Sequence, residues 1–130
     1  MADRLISAAK RGDTLSLRRA MPACADLNGT DSQGWTPLFH AAGHGDTEAV
    51  RLLIQAGADV NHGADTGFTA LFSAVLSGHV ETVFALLDAG ARVVPVDGIE
   101  LRDYAQGKNG PAIVAILDEA CNPPLSREGG

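Results

Sequence analysis

Aromatic side chains make up only 5% of this 130-residue chain, and its two cysteines stand near opposite ends, at Cys24 and Cys121. Two cysteines do not make the disulfide framework of a small secreted domain, and a reducing compartment is the simpler reading. So few aromatics exclude a large aromatic core. Residues 1–20 hold no run of seven or more apolar residues of the kind a signal peptide needs. Asp3, Arg4, Lys10 and Arg11 interrupt that stretch, and no later one reaches membrane-spanning length. The expected address is the cytoplasm. Basic charge is also scarce, with ten Lys plus Arg against sixteen Asp plus Glu. The resulting net charge of −6 opposes general nucleic-acid binding, which needs a strong basic footprint.

What is present fits one compact domain: 45% apolar and 20% charged residues, near the globular average. Fifteen glycines and many alanines suggest backbones that approach closely, as in stacked helices. A repeat underlies them. Gly12-Asp13 is followed thirty-three residues later by Gly45-Asp46 and after the same interval by Gly78-His79. Ala8-Ala9, Ala41-Ala42 and Ala74-Val75 keep step, as do Leu5, Leu38 and Leu71 before them and Leu17, Val50 and Val83 after them. Closing phrases agree too: Ala25-Asp26-Leu27-Asn28, Ala58-Asp59-Val60-Asn61 and a worn Ala91-Arg92-Val93-Val94. Repeats of this length build solenoids from units that cannot bury their apolar faces alone.

The physics of each phrase is legible. Thr36-Pro37 opens a helix, Thr capping free N–H groups and Pro having its φ already set. Leu38, Ala41 and Ala42 form one apolar face, and the alanines admit a close neighbour. Gly45 is placed to end that helix in a left-handed conformation. Asp46 or Thr47 restarts the chain, Val50, Leu53 and Ile54 supply a second buried face, and Gly57 ends it. Pro111 fits the start of a last helix with Ile113, Ile116 and Leu117 inward.

The second unit, Asp31-Ser32-Gln33-Gly34-Trp35-Thr36-Pro37-Leu38, then Ala41-Ala42, Gly45, Leu52-Leu53 and Gly57-Ala58-Asp59-Val60-Asn61, resembles an ankyrin repeat. The resemblance covers roughly residues 3–121. It implies an all-α solenoid of stacked helix-turn-helix units joined by extended β-turn loops. The expected domain is 1–121, with units at about 3–28, 29–61, 62–94 and 95–121 and a flexible tail at 122–130. The fourth unit, with Leu101, Asp103-Tyr104-Ala105 and Ile113-Val114, sits three residues early and has Lys108 in place of Gly, as suits a divergent cap. The usual Thr-Pro-Leu-His phrase reads Thr36-Pro37-Leu38-Phe39 and Thr69-Ala70-Leu71-Phe72 here. The missing His normally ties the turn by hydrogen bonds, so the phenylalanines must stabilise it by packing.

Signals for chemistry are thin. His40 and His44 have the i, i+4 spacing of a zinc-binding helix, but Ala41 stands where a metalloprotease has its Glu base. A third ligand would have to come from another unit, such as His62. His79, by the resemblance, is structural at the helix junction. No serine stands in a nucleophile elbow, and no Gly-rich loop precedes Lys-Ser or Lys-Thr. With roughly 10 Å per stacked helix pair, Cys24 and Cys121 fall on the order of 30 Å apart, beyond disulfide reach. No catalysis and no cofactor are expected.

Function should then lie in a surface. The resemblance implies partner binding by turn tips and inner-helix faces. Carried over by position, that selects Lys10 and Arg11 in the first unit, and Ser32, Gln33, Trp35, His40 and His44 in the second. In the third it selects Thr66, Phe68, Leu76 and Ser77. Trp35 and Phe68 stand one period apart and should lie side by side, either packing neighbouring turns or contacting a partner. Leu76 falls off the face that Ala74 and Val75 use, which favours an interaction. Residues 1–28 sum to +2 and the remainder to −8, from five basic against three acidic and five against thirteen. Such lopsidedness would steer a partner with a basic patch, or simply keep an acidic surface soluble. The leading expectation is a monomeric, non-enzymatic adaptor or regulator that binds one protein. The alternatives are an inhibitor or immunity-type protein that covers an enzyme's active site, and a His-based metal-binding protein.

Overall fold

The computed structural model describes residues 2–21, 27, 29–63 and 66–121, with backbone alone at 2–4 and 121. Cys24, most of the first unit's closing phrase and the expected tail at 122–130 lie outside the described residues. Among the described residues eight helical elements follow one another: α1 (Ala2–Arg11), α2 (Thr14–Ala20), α3 (Pro37–His44), α4 (Thr47–Gln55), α5 (Ala70–Ser77) and α6 (Val80–Asp88), a 3₁₀ helix (Leu101–Tyr104), then α7 (Gly110–Cys121). Among the described residues no strand forms, and one isolated antiparallel bridge joins Val96 and Ile99.

These elements pack in two rows. The inner row runs α1, α3, α5 and the 3₁₀ helix, and the outer row runs α2, α4, α6 and α7. The core lies between them and follows the repeat. Leu5, Leu38, Leu71 and Leu101 of the inner row are all at most 2% exposed. Leu17, Val50, Val83 and Ile113 of the outer row are fully buried. Each such aliphatic side chain withdraws surface worth about 2 kcal/mol from water. In α4 the inward stripe is Ala49, Val50 and Leu53, with Ile54 only half-buried at its edge.

Local chemistry places each helix. Thr36 and Thr69 accept hydrogen bonds from the N–H groups of Phe39 and Phe72 at 3.2 and 3.3 Å, and Pro37 opens α3. Gly45 ends α3 at φ 77°, a conformation that costs glycine no steric penalty. Asp13 and Asp46 cap α2 and α4 through the N–H groups of Ser16 and Ala49. The third unit has His79 at that position, without a side-chain cap. Its Nε2–H instead donates to the Gly43 carbonyl at 3.2 Å. The imidazole covers Gly45, where a Cβ would come within 2.5 Å of the ring. A cap is exchanged for a tie between units.

Other ties run the length of the stack. Thr14 donates to Asp46, and the hydroxyls of Thr47 and Thr82 meet at 2.9 Å. Asn61 donates to the Gly90 carbonyl and accepts from the Arg92 N–H at 2.7 Å. Asn109 donates to the Gly78 carbonyl at 2.9 Å. Thr82 is fully buried, so its partner spares the cost of an unpaired hydroxyl.

The fourth unit is reduced more than its sequence suggests. Its inner element is one turn of 3₁₀ helix, because Ala105 turns extended at φ −76° and ψ 110°, where the equivalent Ala42 and Val75 continue α3 and α5. The shortened connection before it is a tight two-residue turn, with Asp97 and Gly98 at φ 52° and 76°. Positive φ at both central residues suits an Asp-Gly pair. Tyr104 donates to the Val96 carbonyl at 2.9 Å and locks this turn to the stack.

Candidate protein-binding surface

The tip of the second unit is organised by Asp31. One carboxylate oxygen accepts the N–H groups of Gln33 and Trp35 at 2.9 and 3.1 Å. The other accepts from His40 Nε2 at 2.9 Å and lies 3.8 Å from Lys10 Nζ. One side chain thus joins the turn to α3 and to the end of α1. Burial opposes the charge on Asp31, but the hydrogen bonds from His40, Trp35 and Gln33 outweigh it and hold the carboxyl at about 2. The tie that Phe39 cannot make is made by His40, one position later.

Aromatic rings extend this tip into a row. Trp35 lies 3.8 Å from Phe39 and 6.0 Å from Phe68 between ring centroids. Phe68 continues to Phe72 at 5.5 Å, and Phe72 to Tyr104 at 5.1 Å, all edge to face. Five of the six aromatic residues therefore form one line across three units, an arrangement that adds to simple burial. Trp35 and Phe68 are side by side, as their spacing predicts, but they are not equivalent. Trp35 is half-buried with its Nε1–H enclosed and unpaired, while Phe68 is 40% exposed.

Beside the row, a groove of about 350 Å³ is lined by Lys10, Phe39, His40, Gly43, His44 and Ser73. Its floor depends on Gly43, where a Cβ would stand 2.6 Å from Ser73 Oγ. α5 approaches α3 through that missing side chain. Leu76, at the equivalent position on α5, is 56% exposed. Ser77, Ser32, Gln33, Thr66 and His44 are exposed as well. Arg11 is exposed but pairs with Asp13 at 3.9 Å and does not line the groove.

Three of the four histidines are engaged separately. His40 is held by Asp31, the His44 ring lies against Gly12, and His79 bonds to Gly43. Among the described residues, no group of three or more His, Cys, Asp or Glu converges as metal ligands.

Two features escaped sequence reasoning. Asp31 was readable only as part of a turn phrase, since its partners His40 and Lys10 meet it through the fold. Phe84, on α6, is 59% exposed. Its signal was available: Val83 and Leu86 mark the buried stripe, and Phe84 follows Val83 by one residue, about 100° around the helix.

Helix pairs stacked in two rows, left-handed glycines between them and a lined inner face define a helical-repeat solenoid. A sequence profile of ankyrin repeats in three copies matches residues 5–97, and the chain belongs to the ankyrin repeat family. Members of this family generally serve as protein–protein interaction modules. No curated protein matches the sequence. Among the described residues no helix is long and apolar enough to cross a membrane.

Proposed function

We propose that this protein is a non-enzymatic adaptor or regulator in the cytoplasm that binds one protein partner through its turn tips and inner-helix face. The observation that carries this reading is Leu76, an apolar side chain 56% exposed on the inner helix α5. Exposed Phe68, His44, Ser77 and Lys10 join it as contacts, with Ser32, Gln33 and Thr66 at the tips. Trp35 and His40 hold those tips in place. The binding unit is one domain over 1–121 made of four units, at about 3–28, 29–61, 62–94 and 95–121. Acidic excess beyond residue 28 favours a partner with a basic patch.

Partner capture tests this directly. Leu76→Asp combined with His44→Ala should abolish capture of the partner that the native protein retains, while helical circular dichroism and cooperative melting stay unchanged. Undiminished capture by that double variant would remove the inner face from consideration. Loss of the captured protein's own activity on binding would define the regulation as inhibition.

A further inference from the structure

Phe84 is the one aromatic side chain outside the row, and it projects from the opposite, outer-helix side of the stack. It borders a depression of about 500 Å³ between α4 and α6, lined by Arg51, Ile54, Phe84, Ala85 and Asp88 among others. The buried stripe of α6 is complete without it, since Thr82, Val83 and Leu86 already face the core. The ring stays more than half in water, an aromatic projection of the kind that anchors a contact when a partner covers it.

The charges around the ring decide what the contact is with. Arg51 stands on the α4 side of the depression and Asp88 on the α6 side. Neither forms an ion pair with any other described residue. A cation on one side, an anion on the other, and an apolar projection beside an apolar hollow make a patch that is complementary to itself. Two-fold symmetry uses such a patch twice, each element meeting its opposite on the other copy.

We propose that a second copy of this chain docks on this face about a two-fold axis. Phe84 of each protomer enters the depression of the other, α4 of one lies against α6 of the other, and Arg51 of each meets the Asp88 carboxylate across the contact. The inner face described above stays open in this arrangement, so the two surfaces fail or succeed independently.

Sedimentation velocity on the full chain, from micromolar to millimolar concentration, tests the proposal. Native protein should shift from monomer to dimer. Phe84→Ser should weaken the association roughly tenfold or more, with unchanged circular dichroism, as loss of a central apolar anchor does. Arg51→Glu and Asp88→Arg should each weaken it by a similar factor, because each sets like charges against each other twice. An equimolar mixture of those two variants should recover association, since in the mixed pair both contacts again join opposite charges. A protein that stays monomeric throughout the range would overturn the proposal. So would a mixture no tighter than either variant alone, or dimers indifferent to Phe84.

Discussion

Thr36 and Thr69 cap their helices alike, and Gly45 and Gly78 close them at φ 77° and 78°, yet the second and third units meet solvent differently. Where the second has Asp31, His40, Gly43 and His44, the third has Ala64, Ser73, Leu76 and Ser77. Charge and hydrogen bonds tie the second tip to α3 and α1, with Trp35 packed inside the tie. Ring contacts hold the third tip, where Phe68 rests on Phe72 and shows its outer edge. Side chains outside the shared positions are thus free to vary. In this protein they make one polar, hydrogen-bonded tip and one apolar, exposed one.

The largest expected difference between the two tips is in stability. Trp35→Ala should cost about 2–3 kcal/mol, toward the lower end for buried large-to-small changes because the ring is half-buried. Phe68→Ala should cost about 1 kcal/mol, and urea unfolding of the two variants gives the ratio. Equal losses would mean that the row, not the tip, bears the load.

Exchanging the residues at one repeat position, Gly43 on α3 and Leu76 on α5, should come next. Gly43→Leu drives a side chain into Ser73 and should cost about 2 kcal/mol by overpacking. The reverse change, Leu76→Gly, meets no clash and should cost only about 1 kcal/mol through helix propensity. Thermal melts that rank them the other way would place the close approach elsewhere.

Asp31→Asn should cost about 1 kcal/mol at neutral pH, because a charged acceptor becomes a neutral one. It should also remove a pH dependence. Asp31 is held at about 2 in the folded chain against an ordinary 3.8. A lowered folded value means that the unfolded state takes up protons first as pH falls. The stabilisation is therefore complete above about pH 4 and lost as pH drops toward 2. Unfolding midpoints of native and Asp31→Asn proteins should converge across that window and nowhere above it.

The smallest effect belongs to Leu76→Ala, which should leave stability within about 0.5 kcal/mol of native while weakening partner capture. A large loss of stability would make Leu76 a packing residue and erase the contrast with Gly43.

Most of the architecture is legible in the sequence alone. Leucines and small residues recurring at thirty-three placed both helix rows, because each unit must present the same apolar stripe to its neighbours. Thr36-Pro37, Gly45 and Pro111 marked helix ends through backbone preferences that act within a few residues. The fourth unit was harder. Leu101 and Ile113 announced two helices, but the chain turns extended at Ala105 and leaves only one turn of the first. The groove residues Lys10, His40 and His44 were found by position, and Leu76 by being out of step with its stripe. Phe84 is out of step with its stripe in the same way, on the outer row of helices.

By itself the sequence determined the repeat, the helix ends and the identity of the buried stripe, since these follow from local propensity and hydrophobic period. Only the tertiary structure decided what each exposed residue does. Asp31 gathers groups from α1, the turn and α3. Gly43 makes space for Ser73 thirty residues away, and Trp35 turns inward while Phe68 does not. Such roles depend on distances between units, which local sequence rules do not contain.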